Sequence, residues 1–201
     1  MTALFQHYLP PAPAMLPYVS GRFYASQHAR AVGGAVAVTA NRLYCVPYVL
    51  ARPGLFSAMA VSVTTGAAGL LRMALAADDG TGHPGHLIEE PVADADTTAA
   101  GSAICAFAQP RWIPAGICWL LLCFSGVPSV RGTSTQAFSG GNTLLLGSAA
   151  ADGGAGGGTG SENGFFAALT HQAGVPIMPN PPSGLSYLGN AATPLPTLRA
   201  A

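Results

Sequence analysis

The spacing of apolar and polar residues predicts a series of short β-strands from residue 41 onward. In the segment 69–76, Leu71, Met73 and Leu75 point to one side and Arg72 points to the other. Clusters of Gly, Pro, Asp or Thr bound each predicted strand. The other predicted strands are 41–51, 55–65, 86–92, 101–108 and 116–125, with shorter candidates at 129–135 and 142–148. This pattern predicts an all-β fold, an antiparallel β-sandwich of jelly-roll type.

Helices contribute little to the prediction. No amphipathic pattern of useful length occurs, and only "FFAALTHQ" (165–172) could form one or two helical turns. Pro47 interrupts the strand 41–51 and predicts an edge position or a bulge there.

Residues 1–40 are predicted to form an extended arm that docks on a neighbouring subunit. Prolines at positions 10, 11, 13 and 17 disfavour a helix and favour a polyproline-like chain. Aromatic residues recur along the segment, and their side chains are expected to bind the partner: Phe5, Tyr8, Tyr18, Phe23 and Tyr24.

The composition of the rest of the chain predicts three further segments. Residues 41–148 are predicted to form the sandwich, and 149–164 a Gly-rich loop. Residues 165–201 are rich in proline and too short to fold alone. Their end, Leu195–Leu198, is predicted to return to the sandwich as a final strand.

Composition argues against several classes of function. Charged residues make up 8% of the chain, against ~25% in an average soluble domain, and the net charge is zero. A neutral surface argues against nucleic-acid binding and against attraction to anionic lipid. The longest apolar run, 113–124, is shorter than the ~20 residues of a spanning helix. Scarcity of charge is typical of a chain that buries surface in an assembly, although a GC-rich genome would also enrich Ala, Gly, Pro and Arg.

Large apolar and sulfur-containing side chains are assigned mainly to the core. The four cysteines form no C-x-x-C pair and are expected to be buried thiols. Cys118 and Cys123 are five positions apart, an odd number, so they are expected on opposite faces of a strand. Trp119 is predicted to be buried, whereas Trp112 is predicted to be exposed and is the candidate for ligand contact.

The segment "ALAADDGTGHPGHL" (74–87) is the best candidate for chemistry, and it is predicted to be a hairpin that turns from Asp78 to Gly85. Asp78 and Asp79 are only a weak candidate for calcium binding, because the segment lacks the ligand spacing of an EF-hand loop. Zinc would need a third ligand beside His83 and His86.

Asp79 and Glu89 could form a carboxylate pair for glycoside hydrolysis if the hairpin brought them together. The chain also lacks a nucleophile motif, and "GGAGGGTG" (153–160) has no lysine to make a phosphate loop. The prediction is a non-enzymatic protein without a cofactor.

From Arg42 to Gly132 the chain carries a set of motifs in a fixed order. They are "RLYCVPYVL", "VTTGAAG", "ALAADDGTGHPGHL", the threonine-rich "DADTTAAGSA", "IPAGICWLLL" and "PSVRG". This ordered set resembles a module of minor virion proteins of tailed bacteriophages. Cys118 stands where that pattern often has tyrosine, and Ala76 and Ala77 stand where it has an aromatic and a polar residue.

The resemblance implies a jelly-roll sandwich on a tail fibre, baseplate or capsid surface, with a trimer among the expected forms. The expected function is therefore structural, in a virion assembled in the host cytoplasm. The expected partners are further copies and capsid or tail neighbours, with neither nucleic-acid binding nor membrane insertion. The alternative function is a module that binds host-surface glycans. Head and tail positions both remain open.

Overall fold

The computed structural model describes residues 17–26, 32–133, 165–168, 182, 184–187 and 193–201. Strands are its only regular elements in those ranges, and no helix there could cross a membrane. The strands are β1 (Phe23–Ala25), β2 (Val32–Ala37), β3 (Arg42–Leu50), β4 (Gly54–Thr65), β5 (Leu70–Asp78), β6 (Pro84–Glu89), β7 (Ala95–Asp96), β8 (Gly101–Ile113), β9 (Gly116–Phe124), β10 (Ser129–Thr133), β11 (Phe165–Ala168), β12 (Ser186–Tyr187) and β13 (Thr197–Ala200).

The first sheet is built around the long strand β4. On one side β4 pairs with β8, and on the other it pairs with β13 and then β10. Each of these two short strands carries a further strand outward, β1 on β13 and β2 on β10. The result is an antiparallel sheet of 6 strands.

The second sheet has 7 strands and is centred on β9. This strand pairs antiparallel with β3 on one side and β5 on the other. β11 and β12 extend the sheet beyond β3, while β6 and β7 both pair with β5. The two antiparallel sheets pack together, so the predicted all-β sandwich is confirmed.

The main core lies between the sheets and follows the alternation of their strands. Leu71, Met73 and Leu75 of β5 contribute one row, as their spacing predicts. Phe56, Met59 and other residues of β4 face them from the first sheet. The thiol of Cys105 on β8 donates a hydrogen bond to the carbonyl of Leu71 at 3.5 Å, which links the two layers.

The second sheet is also buried on its outer side. A separate apolar cluster there contains Leu43, Cys45, Ala74, Ala76, Trp119, Leu121 and Cys123, all 1% exposed or less. Leu87 and Leu185 pack against it. Cys118 belongs to the main core and Cys123 to this outer cluster. The predicted placement of these two cysteines on opposite faces of β9 is therefore confirmed.

Arg72 lies on this same outer side of β5, as expected, but it is buried. Its guanidinium donates two parallel hydrogen bonds to Asp94, Nε to Oδ1 and Nη2 to Oδ2, each 3.0 Å. Burying a charge requires a partner that is itself hydrogen-bonded. This pair therefore fastens the connection between β6 and β7 to the second sheet.

Two sequence-based predictions need correction. Residues 165–168 form strand β11 and not a helical turn, because pairing along Arg42–Cys45 of β3 overrides weak local propensity. The boundary at residue 40 does not match the fold either, since β1 and β2 are paired strands of the first sheet. Candidate strand 142–148 lies outside the described residues.

Pro47 does not lie at the rim of the second sheet, since β3 pairs with both β9 and β11. In the described part of the chain, however, β11 pairs only with Arg42–Cys45. At Pro47 the strand thus has a described neighbour on the β9 side alone, and a local edge of this kind tolerates proline, which has no N–H to donate.

The buried ion pair yields a stability prediction. Replacing Asp94 by Ala removes the carboxylate from a guanidinium that is 8% exposed, and we expect a loss of about 3 kcal/mol in the free energy of unfolding. Urea denaturation measures this loss. The matched control is Glu89→Ala, which breaks a 3.6 Å contact to the half-exposed Arg111 and should cost less than about 1 kcal/mol. Equal losses in the two variants would contradict this view of the buried pair.

Candidate functional site

The conspicuous Asp-Gly-His segment forms the hairpin between β5 and β6. Asp78 ends β5 opposite Pro84, the first residue of β6, so residues 79–83 make the turn. Gly80 and Gly82 have φ of 90° and 84°, a region that favours glycine. The predicted hairpin is present, and its turn requires the residue types found there.

Asp79 organises the turn through one carboxylate oxygen. Its Oδ1 accepts hydrogen bonds from the N–H and the hydroxyl of Thr81, both at 2.7 Å, and from the N–H of His83 at 3.3 Å. The hydroxyl of Thr81, followed by its backbone N–H, lowers the pKa of Asp79 below its usual value. The carboxylate is thus held in its charged form by the turn itself.

Asp78 has a different structural role. Its Oδ1 accepts a hydrogen bond from the indole N–H of Trp119 at 2.9 Å, and its Oδ2 accepts one from the N–H of Gly80 at 2.9 Å. Trp119 is fully buried, as predicted, and its one polar atom needs a partner. Asp78 therefore satisfies the indole and ties the turn to the outer cluster of the second sheet.

An open cavity of about 690 Å³ lies beside the hairpin and is lined by Asp78, Asp79, His83, His86 and Leu185, among others. Thr81 Oγ1 and His83 Nδ1 are 3.1 Å apart, within hydrogen-bonding distance. The described residues contain no group of three or more His, Cys, Asp or Glu side chains placed to hold a metal ion. The geometry of both aspartates is that of a hydrogen-bonded turn.

The hairpin does not bring Asp79 and Glu89 together. Glu89 pairs in register with Leu75, four residues back along β5 from Asp79. Its carboxylate lies 3.6 Å from Nε of Arg111 on β8. The two carboxylates are therefore separated along the strands and are engaged with different partners.

The cysteines offer no reactive thiolate. All four are buried, as predicted, and burial raises the pKa of Cys45, Cys105 and Cys118 to about 12 and that of Cys123 to about 11. A thiol becomes a nucleophile or a metal ligand only when it is deprotonated. These side chains act as small apolar groups of the two cores.

Trp112 lies on the surface of the first sheet, where it is 61% exposed. It pairs in register with Leu55, a second exposed apolar residue. Both belong to what we call the outer face, the side of β1, β2, β4, β8, β10 and β13 turned away from the second sheet. The small exposed residues of this face include Ala35, Ala37, Ser62, Ser102, Ala106 and Ala108.

The structure places the described aromatic residues of the predicted arm on the sandwich itself. Tyr18 packs against Phe56 and Tyr24, with ring centroids 5.0 and 4.8 Å away. The hydroxyl of Tyr48 in the core donates to the carbonyl of Tyr24 at 2.6 Å. Phe23 is exposed, with the guanidinium of Arg199 5.8 Å from its ring centroid. Phe5 and Tyr8 lie outside the described residues.

Sequence reasoning did not single out the outer face. The alternation in "SAICAFA" (102–108) does indicate one exposed side, because Ala103, Cys105 and Phe107 are buried and the residues between them are exposed. Arg131 and Arg199 join that side only through pairings with strands far away in sequence. Comparison with protein-family models and with curated proteins finds no match to this chain.

The turn makes a prediction about pH. The pKa of Asp79 in the folded protein is lower than the ~3.9 of an unfolded chain, so the carboxylate stabilises the fold fully above that value. This contribution is lost as the pH falls through the folded pKa. We expect Thr81→Val to raise the pKa of Asp79, measured by NMR titration of its carboxyl carbon. Thr98→Val, which removes the matching hydroxyl from Asp96, should leave the pKa of Asp79 unchanged.

The buried thiols make a second prediction. Native protein at pH 8 should react with a soluble thiol reagent only as fast as it unfolds, because burial both shields the sulfur atoms and raises their pKa values. Mass spectrometry should find all four cysteines unmodified after a labelling time that suffices for complete reaction in urea. Rapid labelling of any of them in the native state would show that its strand is not packed as described.

Proposed function

We propose that this protein is a non-enzymatic structural subunit of a phage or phage-like virion, packing on the capsid or tail surface. The ordered motif set between Arg42 and Gly132 supports the setting. The all-β sandwich supports the architecture that such a role requires. The protein would act mechanically, by presenting strands and surfaces to its neighbours.

The outer face of the first sheet is the observation that carries this proposal. It exposes small residues together with Leu55, Ile104 and Trp112, and it includes few charges. Contiguous apolar surface of this kind marks a site of interaction in soluble proteins. The second sheet, by contrast, has both sides buried along β9.

The hairpin supports a structural role as well. Of the two carboxylates considered for hydrolysis, Asp79 is used by the turn and Glu89 lies against Arg111. The cysteines are protonated and buried. The most polar segment of the chain thus serves backbone geometry and packing.

Labelling of particles tests the proposed function. The chain with a C-terminal epitope tag would be expressed together with the other proteins of its phage, and purified particles imaged with gold-labelled antibody. We expect gold at fixed positions on the head or tail, and the tagged chain in particles after density-gradient purification. A tagged chain that remains entirely in the particle-free fraction would contradict the proposal.

Deletion of residues 1–16 tests the arm separately. This deletion removes Phe5 and Tyr8, and it spares Tyr18 and β1, which belong to the sandwich. We expect the shortened protein to fold with an unchanged melting temperature but to enter particles at reduced occupancy. Full occupancy would show that the arm is not needed for assembly.

A second function, binding of host-surface glycans, is favoured by the exposure of Trp112 alone. Aromatic rings provide flat apolar surface against which a sugar can pack. Under this alternative, binding to a glycan array should be lost in Trp112→Ala. The matched control is Val127→Ala, since Val127 is equally exposed at 61% and lies in the connection between β9 and β10. An array without any bound glycan would contradict the alternative.

A further inference from the structure

We infer that the outer face of one copy docks head to tail on the acidic edge of a second copy, the edge formed by β5, β6 and β7. This inference deepens the proposed structural role and rests on it. It names the partner as the chain itself and assigns a different surface to each side of the contact.

The outer face has the size that a stable interface needs. β4 has 12 residues, which gives a length of roughly 40 Å at ~3.3 Å per residue. Four strand positions lie side by side, with β13 and β10 sharing one and β1 and β2 another, so the width is about 19 Å. The face therefore covers roughly 750 Å², close to the ~800 Å² that each partner contributes to an interface of standard size.

Charge on the outer face has one sign. Arg131 on β10 and Arg199 on β13 are exposed there, and the described residues place no acidic side chain on this face. Two outer faces packed together would bring these arginines near one another, and like charges oppose such a contact. The face is therefore suited to a surface of opposite charge and not to its own copy.

The acidic edge provides that opposite charge. Every acidic side chain in the described part of the chain lies between Asp78 and Asp96. Asp96 is exposed and, like Asp79, is fixed in a turn by threonine, here through the N–H and the hydroxyl of Thr98. Residues 70–96 contain six acidic side chains and a single arginine, Arg72, which is paired with Asp94. The edge is thus acidic while the outer face is basic.

Apolar groups on the two surfaces match as well. Trp112 and Leu55 project together from the outer face. The acidic edge holds a cavity of about 450 Å³, whose lining combines apolar residues such as Leu70, Met73 and Val92 with the charged residues Arg72, Glu90 and Asp94. Val92 is 69% exposed at this cavity. A large aromatic anchor that enters an apolar pocket is the usual centre of binding energy in an interface.

A contact between two different surfaces has a geometric consequence. Such head-to-tail interfaces produce rings when the rotation between neighbours closes, and open chains when it does not. The contact also leaves an unused outer face or acidic edge on any copy whose neighbour is missing.

Two complementary variants test the inference in the purified full-length protein. The face variant carries Arg131→Glu and Arg199→Glu. The edge variant carries Glu90→Gln and Asp96→Asn; the asparagine oxygen can still accept a hydrogen bond from the N–H of Thr98, and its amide can donate one to the Thr98 hydroxyl. We expect wild type to form oligomers in sedimentation velocity at low salt, with association weakened in 0.5 M NaCl because the charges are screened.

Each variant alone should be folded, as judged by a cooperative melting transition, and monomeric. An equimolar mixture should form heterodimers and nothing larger, because one intact face meets one intact edge. Arg22→Glu is the matched control, since this exposed arginine precedes β1 and alternates away from the outer face. It should associate like wild type. Trp112→Ala should weaken association roughly 30-fold if it acts as the central anchor.

Several results would overturn the inference. These are a wild type that stays monomeric, oligomers that either variant leaves intact, or a mixture without heterodimers. The proposed function would fail separately, through absence of the chain from particles. A monomeric protein that is nevertheless found in particles would thus refute self-docking and leave the structural role in place.

Discussion

Burial of β9 on both of its faces is the constraint on which the rest of the structure depends. Cys118, Leu120 and Leu122 point into the core between the sheets, and the residues between them point into the outer cluster. A strand buried on both sides cannot contribute polar side chains to solvent. Its neighbours must therefore satisfy every polar atom that enters this layer.

Two such polar groups explain why acidic residues that could be mistaken for catalytic or metal-binding groups lie where they do. The indole N–H of Trp119 takes Asp78 as its acceptor, which fixes the end of the β5–β6 hairpin. The guanidinium of Arg72 takes Asp94, which fixes the segment after β6. Two of the six acidic residues between Asp78 and Asp96 thus satisfy polar groups of the buried sheet. Its remaining negative charge lies along one edge, opposite in sign to the exposed arginines of the first sheet.

Local pattern was sufficient for much of the fold. Alternation predicted the strands β3 to β6 and β8 to β10, the hairpin at Asp78, and the opposite placement of Cys118 and Cys123. The apolar run "CWLLLCF" has no polar alternation, which is the pattern of a strand buried on both faces. These features depend on residues that are close together in the chain.

Features that depend on distant pairing were missed. Strand β11 forms because β3 offers an edge more than a hundred residues earlier, and weak helical propensity in "FFAA" gave no hint of it. The Arg72–Asp94 pair joins residues 22 positions apart. The outer face is assembled from β1, β2, β4, β8, β10 and β13, so its single sign of charge is visible only once the sheet order is known.

Two claims are central: β9 of the second sheet is buried on both faces, and the first sheet keeps an exposed outer face that docks on a second copy. Hydrogen exchange at two protein concentrations tests both most directly. Amides of β9 should be strongly protected in dilute monomer, and raising the concentration should add protection to the solvent-facing edge of β8 and to residues 84–96. The other strands of the second sheet should not change. Rapid exchange of β9 in the monomer would contradict the first claim, and added protection confined to β3 and β9 would contradict the second.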